Sequence, residues 1–184
     1  DVIHNFLVCS FMRRWRHAAV GCLTPKEFDH WVQVNGASTF RQSYRKGRGI
    51  VLASLHYGAA HLPLLYLNRL GFDEIITMGG TPRTLDLLGL GESRQVMLEV
   101  GDARGGLSMD MALRALRRGG IVNLAADGQI GTSRGILVSF HGHLRPFKTG
   151  FAELAVATGA DVLPVVVSLD TAGRVNIEFL NPLK

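Results

Sequence analysis

Gly49-Ile50-Val51-Leu52-Ala53-Ser54-Leu55-His56-Tyr57-Gly58 is the stretch from which the rest of the chain can be ordered. Residues 50–54 form a short apolar run behind a glycine, which reads as a strand buried on both faces. Such runs, with no polar alternation, belong to parallel sheets covered by helices on both sides. His56 follows at once, and a glycine and a helical segment come after it. It therefore stands at the carboxyl end of a strand, where open α/β sheets bind their ligands. Histidine titrates near neutral pH and suits general-base work. A histidine at a strand end can equally be a structural hydrogen-bonding group, and this stretch alone leaves both readings open.

Working outward, the segment before the run predicts helices. Thr24-Pro25-Lys26-Glu27 is a capping box with proline at the first helical position, and Asn35-Gly36 is expected to end that helix. Residues 38–46 read as helical again, broken by Gly47-Arg48-Gly49. After His56, residues 59–70 predict a helix closed by Gly71, residues 74–78 a strand, and Gly79 to Arg83 a loop. Met109, Ala112, Leu113 and Leu116 give residues 108–118 an apolar stripe, with Arg114, Arg117 and Arg118 outside it. Gly119-Gly120 stops that helix. Strands follow at 121–126 and 135–140, a helix at 151–158, and strands at 162–168 and 175–180. The expected class is α/β, with a central mostly parallel or mixed sheet flanked by helices.

An N-terminal amphipathic helix precedes this core. Val2, Ile3, Phe6, Leu7, Phe11 and Met12 are followed by Arg13, Arg14, Trp15, Arg16 and His17. That is the composition of a helix lying in a membrane interface, or of one packed on the domain with a solvated basic end. No repeat, linker or low-complexity tract divides the chain. One domain over 1–184 is expected, with N-terminal helices in 1–46 and the α/β core in 47–184. The start at Asp1 suggests a fragment lacking its native N-terminus.

The 184 residues are 47% hydrophobic and 19% charged, which excludes a disordered chain, and the 22 glycines have no collagen period. No apolar run approaches the roughly 20 residues needed to span a bilayer. Cys9 and Cys22 make neither a disulfide framework nor a metal-type spacing; both read as buried fillers in a reducing compartment. Lys plus Arg total 20 against 15 Asp plus Glu, for a net charge of +5. Lysine contributes only Lys26, Lys46, Lys148 and Lys184, so arginine dominates. Its planar fork suits phosphate and carboxylate oxygens, and the partners to expect are anionic. Nucleic acid is disfavoured, because no aromatic-interleaved basic motif or helix-turn-helix pattern is present.

Gly47 to Gly58 resembles the first motif of the lysophospholipid acyltransferase superfamily, and most closely its bacterial lipid A biosynthesis branch (the lauroyl/myristoyl type). The resemblance continues through Leu116-Arg117-Arg118-Gly119-Gly120-Ile121-Val122-Asn123-Leu124-Ala125-Ala126-Asp127-Gly128. It resumes in Val138-Ser139-Phe140-His141-Gly142, in Thr149 to Ala155, in Thr158-Gly159-Ala160 and in Pro164-Val165. It covers roughly 47–180 in the right order, and the first 45 residues match only loosely. It implies acyl transfer from an acyl-carrier-protein or coenzyme A thioester to a hydroxyl of a membrane lipid or glycolipid, with no bound cofactor. It also implies an anionic membrane partner and work at the cytoplasmic face of the cell membrane, held peripherally or by an anchor.

The family histidine matches His56, which would take the proton of the acceptor hydroxyl. No covalent acyl-enzyme is needed, and no Gly-x-Ser-x-Gly elbow occurs. The family places a carboxylate where this chain has His61. That carboxylate would orient the base and steady its imidazolium, whereas a neutral His61 can orient His56 by a hydrogen bond but supplies no negative charge. His61 is kept with His56 and Asp127 among the catalytic candidates. Asp127, ending the strand of the second block, is the expected substitute, although an Asx turn with Gly128 is an alternative role for it. Tyr57, Gly58, Arg83, Arg134 and Arg145 are the candidate substrate-binding residues. The arginines Arg114, Arg117 and Arg118 read as an exposed helix face, or as a docking patch for an acidic carrier protein. His141-Gly142-His143 together with His56 and His61 could form a zinc site if they converged, but no metal motif supports one. A reading of another class also follows from His61: a catalytically impaired relative that binds acyl chains or carrier protein.

Overall fold

The structure, a computed structural model, describes residues 19–56, 60–72, 74–79, 85–86, 89–90, 94–98, 105–127, 135–140, 142–170, 172 and 174–183. Its elements in chain order begin with α1 (Pro25–Trp31), β1 (Val32–Asn35), α2 (Ala37–Arg45), β2 (Ile50–Ser54), α3 (Leu62–Arg69), β3 (Ile75–Met78) and β4 (Val96–Leu98). There follow α4 (Gly105–Arg117), β5 (Ile121–Ala125), β6 (Gly135–Phe140), β7 (His143–Lys148), α5 (Gly150–Thr158), β8 (Asp161–Leu169) and β9 (Val175–Phe179). Seven strands form the central sheet in the order β1-β9-β8-β2-β5-β3-β4, while β6 and β7 make a separate two-stranded ribbon. The run β8-β2-β5-β3-β4 is parallel throughout, β8 and β9 are antiparallel, and β9 and β1 are parallel. This is the mixed, helix-flanked sheet expected of the sequence.

Why the Ile50–Ser54 run is apolar on every side is visible in the two cores. Ile50 and Leu52 face one core, together with Leu62, Leu64 and Leu67 of α3, Phe40 of α2 and Leu163 of β8. Val51 points the other way, into a core with Val122, Ala112 and Leu116 of α4 and Leu154 of α5. Each fully buried aliphatic side chain of this kind contributes about 1.5–3 kcal/mol, so the strand is held from above and below.

The entry to β2 is fixed by backbone. Gly49 sits at φ +81, and a Cβ there would lie 2.6 Å from the carbonyl oxygen of Leu116. The glycine lets β2 run against the end of α4, and the Ile50 N–H donates to the Gly120 carbonyl at 3.0 Å. At the same end of the sheet, Asp161 accepts from Lys46 at 2.6 Å and from Arg48 at 2.8 Å.

Four elements differ from expectation. The capping box starts α1 as read, with Thr24 and Glu27 bonded reciprocally, but the helix ends at Trp31 rather than Asn35. Val32, Gln33, Val34 and Asn35 instead pair with β9, because alternating β-branched and polar residues fit a half-buried strand better than a helix. The short edge strand β4 and the strand β7 were not expected from the sequence. In β7, Pro146 argues against a strand, but a two-stranded ribbon has only edge strands, where a missing N–H is tolerated. Cys22, expected to be buried, is exposed. It lies just past the helical turn ending at residue 21, outside both cores. The N-terminal amphipathic helix and Cys9 lie outside the described residues.

Candidate active site

Strand register sets the site. In the parallel pair β2–β5, Ser54 is level with Ala125, so residues equally far beyond those ends meet. The ladder runs on as the Ala126 N–H donates to the Ser54 carbonyl at 2.9 Å, and the Ser54 hydroxyl donates to the Leu124 carbonyl at 3.2 Å. His56 and Asp127 each stand two residues past their strand end.

Two kinds of contact join them. The backbone N–H of His56 donates to both carboxylate oxygens of Asp127, at 2.9 Å and 3.0 Å. The ring Nδ1 lies 2.9 Å from Asp127 Oδ1. An ionised carboxylate only accepts, so Nδ1 carries the proton and the neutral ring keeps its lone pair on Nε2. The ring is not sealed in: the His56 side chain is 55% exposed and that of Asp127 32%. Chemically, the arrangement is an oriented imidazole open to solvent, with a negative charge behind it able to steady an imidazolium. The part of the His56 backbone N–H was not anticipated. Its only trace in the sequence is the equal offset of His56 and Asp127 from the ends of their strands.

Beside the same strand end, on the β8 side, a pocket of about 20 Å³ is lined by Ser54, Leu55, Ala60, Val165, Val166 and Val167. It is mostly apolar and takes one water-sized group. Its described lining comes from β8, β2 and Ala60, and α3 begins only at Leu62.

Of the remaining candidates, His61, His143, Arg145 and the arginines of α4 are among the described residues. His61 is the residue preceding α3; its carbonyl accepts from the Leu64 N–H at 3.0 Å, and the Nδ1 partner of His56 is Asp127. Arg145 is exposed on β7, level with Val138 on the ribbon. Tyr57, Gly58, Arg83, Arg134 and His141 lie outside the described residues. Among the described residues, no group of three or more His, Cys, Asp or Glu side chains could hold a metal ion. Arg114 and Arg117 are exposed on α4 with Arg118 just beyond it, and Arg114 pairs with Asp110 one turn back at 2.8 Å.

A sequence model described as bacterial lipid A biosynthesis acyltransferase matches residues 8–184. The chain belongs to that family. No curated protein matches it. Membership in the bacterial lipid A biosynthesis acyltransferases makes the chain a transferase that moves an acyl group to a lipid, and it associates the protein with the membrane where such acceptors reside. No described helix of this acyltransferase is long and apolar enough to cross a membrane.

Proposed function

We propose that the chain transfers a fatty acyl group from an acyl-carrier-protein or coenzyme A thioester to a hydroxyl of a membrane lipid or glycolipid, with His56 as general base and Asp127 as its orienting carboxylate. The observation that carries this reading is the 2.9 Å contact between Nδ1 and Oδ1, made by a ring that remains half exposed. Nε2 removes the proton of the acceptor hydroxyl as its oxygen bonds to the thioester carbonyl carbon. The resulting oxyanion collapses, the carbon–sulfur bond breaks, and the leaving thiolate takes the proton back from the imidazolium. No group of the protein is acylated, and the proton count closes on His56. A positioned base of this kind contributes about 10²–10⁴ in rate.

Asp127 replaces, from the neighbouring strand, the charge that His61 does not supply. A second, impaired-binder reading would require the imidazole to lack a carboxylate, and Asp127 argues against it. Tyr57, Gly58, Arg83, Arg134 and Arg145 remain the proposed substrate-binding set, with the arginines suited to the phosphates of donor or acceptor. The thioester donor places the reaction on the cytoplasmic side of the membrane.

The test is incubation of the chain with acyl-carrier-protein and coenzyme A donors beside a membrane lipid extract, with mass spectrometry of the products. Acylated lipid formed by the wild type and lost in His56→Ala supports the reading. Equal turnover in His56→Ala removes the base from the mechanism.

A further inference from the structure

Exposed large apolar residues occur singly elsewhere, as Leu107 on α4 and Val156 on α5, but the β6–β7 ribbon gathers several of them on one element outside both cores. All of β6 is exposed, as is β7 up to Pro146. Ile136 is 57%, Leu137 67%, Phe140 52% and Leu144 66% accessible. Register assigns these residues to both faces. Ile136 opposes Phe147, and Phe140 opposes His143, on one side. Leu137 opposes Pro146, and Ser139 opposes Leu144, on the other. A ribbon destined to pack on its own domain, or on one flat partner, would have one apolar and one polar face. This one has apolar groups on both.

Charge and position narrow the partner. Between Asp127 and Glu153 the sequence contains no acidic residue, yet it carries Arg134, Arg145 and Lys148. The ribbon is also tied to the site, since the Lys148 N–H donates to the carbonyl of Ala126, next to Asp127, at 2.9 Å.

We infer that the β6–β7 ribbon is a membrane-docking element that dips its turn end into the boundary between headgroups and acyl chains of an anionic bilayer, beside the His56–Asp127 pair. This rests on the lipid-acceptor reading above. A bilayer wets both faces of an inserted ribbon, which a folded partner does not. The two open edges limit the depth, because unpaired backbone groups are costly in hydrocarbon. Strands of six residues reach about 20 Å. The turn end therefore enters the outer ~5–10 Å of the leaflet. Arg145, level with Val138 and one pair nearer the turn than Leu137, reaches back along its long side chain to the lipid phosphates, and Lys148 at the base of the ribbon meets them as well. Docking there holds the site at the surface from which a lipid hydroxyl must be drawn.

The experiment is flotation of the full chain with vesicles of phosphatidylcholine alone or mixed with phosphatidylglycerol, comparing wild type, Leu137→Asp/Leu144→Asp and His56→Ala. The wild type is expected to float with the anionic vesicles. The double variant should partition at least about tenfold more weakly, since each change removes the burial of a leucine and adds a negative charge. His56→Ala should float like wild type even where it forms no product, so failure of the catalytic reading and failure of the docking reading give different results. Leu144→Trp supplies a second measurement that survives poor folding of the double variant. Its added emission should shift blue and be quenched by lipids brominated on their acyl chains. Undiminished flotation of a folded double variant, or an added tryptophan that is not quenched, overturns the inference. So does a ribbon that instead pairs two copies, read as a dimer in solution that Leu137→Asp/Leu144→Asp makes monomeric.

Discussion

Replacing Asp127 by asparagine isolates the charge behind the base. Asparagine keeps a carbonyl oxygen that can occupy the Oδ1 position and accept from Nδ1 at 2.9 Å and from the His56 N–H. What it loses is the negative charge, and it sets an NH₂ where Oδ2 now accepts at 3.0 Å. At that separation, the attraction between an imidazolium and a carboxylate is about 1.4 kcal/mol in fully water-like surroundings and about 5.7 kcal/mol at the dielectric of a protein surface. The ring is 55% exposed, so the lower part of that span applies, about 1.4–2.8 kcal/mol. This charge matters only once Nε2 has taken the proton, which is after substrate binding. The expected outcome is therefore a fall in kcat of about 10- to 100-fold with KM little changed. The assay is initial-rate acyl transfer to dispersed lipid over a range of acceptor concentrations, with circular dichroism to verify the fold. An unchanged kcat in a folded Asp127→Asn would refute the charge argument and leave His61 as the remaining candidate to orient His56. A rise in KM alone would move Asp127 from the chemistry to substrate binding.

His56→Ala should lower transfer by at least ~10² while the unfolding transition stays in place, since the side chain is half exposed and outside both cores. Gly49→Ala should destabilise the chain by about 2 kcal/mol or more, from the left-handed backbone and the approach to Leu116, read as a drop in Tm. Burial pushes the Asp161 carboxyl up, but the hydrogen bonds from Lys46 and Ser43 and the charges of Lys46 and Arg48 outweigh it and hold it below the usual carboxylate range. A carboxyl lowered by folding stabilises the native state above its unfolded pKa of about 3.9 and loses that contribution as pH falls through the folded value. Urea midpoints measured from pH 7 downward should show this acid-side loss, and Asp161→Asn should flatten it. Because Lys46 and Arg48 are 45% and 57% exposed, the contribution at neutral pH is about 1 kcal/mol.

The elements that local chemistry specifies strongly could be read before folding. The Thr24–Glu27 box starts its helix where expected, and the doubly apolar run 50–54 lies inside a parallel sheet. Gly119-Gly120 ends α4 because Gly119 takes a left-handed conformation there. Residues 32–35 were harder. Their alternation is only four residues long, and β9, the strand that makes them a strand, lies at the other end of the chain. The same holds for β7, whose Pro146 speaks against a strand until β6 is beside it. The family resemblance was carried by the order of the motif blocks, and the match over residues 8–184 is of the same kind.

The sheet with helices on both sides and the strand that delivers His56 follow from short-range pattern, and the acyltransferase family follows from the order of the motif blocks along the chain. Which carboxylate stands behind the imidazole is settled by folding alone. His56 and Asp127 are 71 positions apart, and nothing local relates them. Parallel pairing of β2 with β5, in the one register that buries both strands on both faces, brings them to 2.9 Å. The same three-dimensional packing leaves the ribbon of residues 135–148 outside both cores, a property its apolar sequence gives no hint of.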